Sequence, residues 1–101
     1  MNVKDFSSMF DLVESTVLSV KTINKAVIFE IETVFENEYH ANGYRPTLNI
    51  DSVHTYTFTH QPYTYDIDIP FSITSMMFKD NHLYLNDIVL DNTDESEVKI
   101  K

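Results

Sequence analysis

Val17-Leu18-Ser19-Val20-Lys21-Thr22-Ile23-Asn24-Lys25-Ala26-Val27-Ile28-Phe29-Glu30-Ile31-Glu32-Thr33-Val34-Phe35-Glu36 is the stretch on which the fold turns. Val27, Phe29, Ile31, Thr33 and Phe35 alternate with Ile28, Glu30, Glu32, Val34 and Glu36. A period of two places one set against a core and the other toward solvent, as in a half-buried strand. Asn24-Lys25 lies between this strand and the Val17–Thr22 run at hairpin spacing.

The same grammar recurs downstream. Val17-Leu18-Ser19-Val20 with Asn24 and Val27-Ile28-Phe29 aligns without gaps on Ile73-Thr74-Ser75-Met76 with Asp80 and Leu83-Tyr84-Leu85. Shared hairpin ingredients account for the echo, since a repeat architecture needs at least three copies. Asn42-Gly43 contains the single Gly and predicts another hairpin turn. A third strand is expected from Leu48 and Ile50 through His54, Tyr56 and Phe58. Tyr63, Tyr65, Ile67 and Ile69 alternate with Thr64, Asp66 and Asp68, predicting a further strand that Pro70 closes or bulges. Ile88–Leu90 and Val98 with Ile100 complete the strand set.

Before all of these, Val3, Phe6, Phe10 and Val13 form a helical stripe, with Asn2 as N-cap and Asp5 at the third helical position. The expectation is a mostly β (α+β) single domain over 1–101, with an amphipathic helix over 3–15 and an antiparallel sheet over 16–101. That sheet is expected as one twisted sheet or a small half-open barrel of six or seven strands. A single Gly leaves few sites for bending strands at barrel corners, which favours bulges or an open sheet.

The 101 residues carry 16 Asp+Glu against 7 Lys+Arg, a formal net charge of −9, with no Cys. Absence of Cys excludes disulfide frameworks, thiolate nucleophiles and iron–sulfur ligation. Between Arg45 and Lys79 there is no Lys or Arg. Direct nucleic-acid binding requires Lys and Arg to displace counterions from phosphates, and attraction to an anionic membrane has the same requirement. Neither partner is expected. The opening residues lack a secretory pattern and no apolar run approaches the ~20 residues of a span, so a cytoplasmic protein is expected.

Glu30, Glu32, Glu36 and Glu38 share one parity, with successive carboxylates ~6.6 Å apart along a straight strand. Such a row can imitate a nucleic-acid backbone and receive Lys and Arg from a partner; it also reads as the solvated side of an amphipathic sheet. Asp66, Asp68, Tyr63 and Tyr65 are secondary anchors for the same surface. His40, His54, His60 and His82 are scattered, with no metal-binding spacing, and Asp91–Glu95 lacks the Gly of a calcium loop. No nucleophile motif or phosphate-cradling loop is present, so no catalytic residues, metal or cofactor are assigned.

The function expected is a non-enzymatic acidic protein-binding module. Its target would be a basic protein surface such as a nucleic-acid-handling enzyme or toxin, which it would inhibit in a phage anti-defence or immunity-type role, as a monomer or small homo-oligomer. Two other classes fit the composition. One is a structural subunit of a phage particle or other oligomer, pairing through an edge at Val98–Lys101. The other is a small hydrolase or ligand carrier using a barrel interior.

Overall fold

The computed structural model describes residues 1–32, 53–65 and 67–101. The Asn42-Gly43 turn, the start of the third strand, His40, Glu36, Glu38 and Asp66 lie outside the described residues. The elements are α1 (Val3–Met9), β1 (Thr16–Ile23), β2 (Ala26–Glu32), β3 (Val53–Phe58), β4 (Phe71–Ser72), β5 (Met76–Lys79), β6 (His82–Leu85), β7 (Ile88–Asp91) and β8 (Val98–Ile100). The protein is mostly β with one short N-terminal helix, and its sheets do not close into a barrel. A five-stranded sheet has the order β4-β1-β2-β3-β8 and a three-stranded sheet the order β5-β6-β7. Every strand pair is antiparallel.

Two hairpins set the registers. Ile23 faces Ala26 across Asn24-Lys25, and Lys79 faces His82 across Asp80-Asn81. Both residues of each turn have positive φ (49° and 64°, then 51° and 65°). That is the type I′ signature, whose twist matches the flanking strands. The sequence echo between these hairpins is therefore an echo in backbone conformation.

On β2, Val27, Phe29 and Ile31 are buried while Glu32 is exposed, as the alternation requires. Strand β1 is subtler. Val17 faces Ile31 and Val20 faces Phe29, although their spacing of three would put them on opposite faces. A register shift between Val17 and Ser19 resolves the conflict by bulging the exposed Leu18 outward.

The 73–78 run, which reads as the first strand of the second hairpin, belongs to a segment, 71–79, that divides between the sheets. Phe71 pairs with Val17, and Ile73 exchanges backbone bonds with Glu14 and Ser15 (2.7 and 2.9 Å), so this part belongs to the larger sheet. Met76–Lys79 belongs to the smaller one. The corner is held by Asn86 in the β6–β7 turn. Its Oδ1 accepts from the Thr74 and Ser75 amides (2.8 and 3.1 Å) and from the Thr74 hydroxyl, and its Nδ2 donates to the Ser72 carbonyl (2.9 Å).

Helix α1 lies against both sheets. It packs on β5 and β6, while the Phe6 ring meets Tyr56 and Phe58 of β3 edge-on, at 5.9 and 5.4 Å, and stacks on Phe10 at 4.9 Å. Asn2 caps it as expected, its Oδ1 accepting from the Asp5 amide at 2.7 Å. The helix ends at Met9 instead of continuing to 15. Phe10 is extended, Asp11 accepts from the Val13 amide in a turn, and Glu14 has φ 73°. Short Asp side chains favour such local bonds over helix continuation. Among the described residues no helix is long and apolar enough to cross a membrane.

The segment 61–69 carries no strand among its described residues, despite its alternation. Gln61 and Tyr65 reach the edge of β7 with their side chains, without a ladder. Gln61 supplies the pairing with its side chain: Oε1 accepts from the Asp91 amide (2.7 Å) and Nε2 donates to the Asp91 and Thr59 carbonyls (3.0 and 3.1 Å). Its own amide donates to the Lys25 carbonyl at 2.8 Å. The residue is only 1% exposed. Alternation reports an extended backbone with two faces, and a strand also needs amide donors in register; Pro62 and Pro70 remove two of them.

Candidate functional site

The outward face of the larger sheet is built in rows. Thr16, Glu32 and Val53 form one, and Ser19, Glu30 and Thr55 the next. Lys101 extends the second row, because Thr55 and Lys101 exchange both backbone bonds at 3.0 Å. Lys21, Ile28, Thr57 and Lys99 form the third. Glu30 and Glu32 thus project side by side from a strand flanked on both sides, Glu30 half-buried and Glu32 exposed.

Two histidine–carboxylate contacts occur among the described residues, His60–Glu95 at 3.3 Å and His82–Asp91 at 3.2 Å, and neither uses Glu30 or Glu32. The sheet's own cations nevertheless share this face. Lys21 is diagonal to Glu30, ~7–8 Å away between strands, and Lys101 lies beyond Thr55. The face is a carboxylate centre with lysines around it, an arrangement that parity along one strand cannot show.

The secondary anchors lie elsewhere. Tyr63 is exposed and meets Tyr65 edge-on at 6.3 Å. Tyr65 is half-buried, and its hydroxyl donates to the Val89 carbonyl at the β7 edge. Burial pushes the phenol up to about 12 from 10, with the Asp91 charge and then Tyr63 adding to the effect. Tyr65 is therefore fixed in its neutral, donating form.

Asp68 is exposed and belongs to a groove of about 510 Å³ lined by Thr64, Tyr65, Ile67, Asp68, Phe71, Asn86, Asp87 and Ile88. This volume is within the usual range for ligand clefts. Sequence reasoning singled out Tyr65 and Asp68 but not Asn86 and Asp87. Their signal was a two-residue polar break, Asn86-Asp87, between the apolar Leu83–Leu85 and Ile88–Leu90 runs.

Among the described histidines, His60 lies against Glu95 and His82 against Asp91, in separate places. Among the described residues no group of three or more His, Asp or Glu could hold a metal ion. Compared with known proteins, the chain matches no family model, no curated protein and no solved structure.

Proposed function

We propose that the chain is a non-enzymatic, cytoplasmic acidic protein-binding module that docks on a basic protein and inhibits it, a nucleic-acid-handling enzyme being the favoured target class. The observation that carries this is the placement of Glu30 and Glu32. They stand next to each other on the open face of a central strand, free of ion pairs among the described residues, in a chain of net charge −9. Sheet hydrogen bonding on both sides holds their backbone rigid, so little order is lost when a cationic surface engages them. Net charge raises the encounter rate, while desolvated contacts set the lifetime of the complex.

The test is biosensor binding to a panel of purified basic nucleases and nucleic-acid-binding domains at low and high salt. Binding is expected to weaken with salt and to be lost in the Glu30→Lys/Glu32→Lys double variant, checked for an unchanged circular dichroism spectrum and melting temperature. Salt-independent binding, or a double variant that binds like the parent, overturns the proposal.

A further inference from the structure

The groove beside Tyr65 is distinct from the β2 face and has a consistent chemistry. Its floor and walls combine two aromatic side chains, Tyr65 and Phe71, with the aliphatic Ile67 and Ile88. Two carboxylates, Asp68 and Asp87, come from separate segments, and both are exposed. Among the described lining residues there is no Lys, Arg or His, and neither aspartate has an ion pair among the described residues.

Two of the other three polar side chains are already committed, and the third, Thr64, is exposed. Asn86 spends both ends of its amide on the 72–75 corner, and the Tyr65 hydroxyl is bound to Val89. A ligand therefore meets ring surface, aliphatic surface, the Thr64 hydroxyl and two carboxylates. Such a cleft complements a cation carried on an apolar stem, since an aromatic ring attracts cations and carboxylates accept charge-assisted hydrogen bonds. Guanidinium suits it better than ammonium because it is planar, stacks on rings, is weakly hydrated and offers five donors to two acceptor groups.

We propose that the groove between Tyr65, Ile67 and Asp68 on one side and the β6–β7 turn on the other receives an arginine side chain of the basic partner. This rests on the acidic-module reading above and gives that module a specificity pocket apart from its β2 face. The β2 carboxylates attract positive charge in general; the groove selects the side chain that carries it. Asn86 positions the site, because the bonds that pin the sheet-to-sheet corner also hold Asp87 at the groove's rim.

The experiment is an amide-resolved NMR titration of the full chain with a blocked tri-arginine peptide, and in parallel with tri-lysine. Shift changes are expected at Tyr65, Ile67, Asp87 and Ile88, with tri-arginine binding more tightly than tri-lysine. Asp87→Asn is expected to weaken tri-arginine binding by about tenfold, the loss of one charge-assisted contact. Glu30→Lys/Glu32→Lys is expected to leave these groove shifts in place. The wild-type shift map decides the matter even if a groove variant folds poorly. Shifts confined to Glu30, Glu32 and Thr55, no shifts in the groove, or equal response to tri-lysine overturn the arginine assignment. The acidic-module reading falls separately, if the β2 double variant binds the basic panel as the parent does.

Discussion

Replacing Gln61 tests the account of how the two sheets are joined. Its side chain acts as a strand partner for Asp91 at the β7 edge, while its backbone is tied to the β1–β2 hairpin through Lys25. Gln61→Leu keeps most of the volume but removes three side-chain hydrogen bonds. The Asp91 amide, the Asp91 carbonyl and the Thr59 carbonyl lose their partner in a site where Gln61 is 1% exposed. A buried polar group left unpaired costs about 1–3 kcal/mol, and relaxation recovers part of the sum. The expected loss is about 3–5 kcal/mol, a large share of the ~5–15 kcal/mol that stabilises a typical domain.

Urea unfolding gives the energy directly, and the melting temperature should fall by at least about 12 °C. Gln61→Glu adds a pH signature. Once ionised it can still accept from Asp91 but has no proton for the two carbonyls, and burial raises its folded pKa above the unfolded value of about 4.3. A raised acid pKa gives stability that is present below the unfolded value and lost as pH rises. The deficit of Gln61→Glu relative to the parent is thus smallest near about pH 4 and grows toward neutrality. A loss below about 1 kcal/mol for Gln61→Leu, or a pH-independent deficit for Gln61→Glu, would refute the role assigned to this side chain.

Two other perturbations probe neighbouring features. Tyr65 ionises at about 12 in the folded chain against 10 unfolded, so stability should fall as pH rises from about 10 to 12. Alkaline absorbance titration should show a late ionisation that loses one tyrosine's amplitude in Tyr65→Phe, and an unchanged late amplitude in that variant would reject the assignment. Lys25 holds φ 64° in the β1–β2 turn, where a side chain costs about 1–2 kcal/mol relative to glycine, against ~0.5–1 kcal/mol of extra glycine entropy in the unfolded chain. Lys25→Gly should therefore raise the melting temperature by a few degrees; a decrease would contradict a type I′ turn there.

Much of this architecture was legible in the residues. Period-two alternation identified β2 and its buried Val27, Phe29 and Ile31, and the turn residues located both two-residue hairpins. The Asn2 cap and the Val3–Phe6–Phe10 stripe identified α1. These are local matters: each depends on residues a few positions apart, and the backbone expresses them wherever the segment packs.

What the sequence by itself determined is a set of two-faced strands, a capped helix and an excess of negative charge. Tertiary structure alone decided how they combine. It split residues 71–79 between two sheets around Asn86, bulged Leu18 so that Val17 and Val20 share a face, and replaced an expected strand with the Gln61 side chain at an edge. It also set Lys21, Lys99 and Lys101 around Glu30, and brought Asp68 and Asp87 to one groove. Each outcome depends on partners between about ten and eighty residues away, and sequence spacing carries no record of which distant backbone needs a donor, a volume or a countercharge.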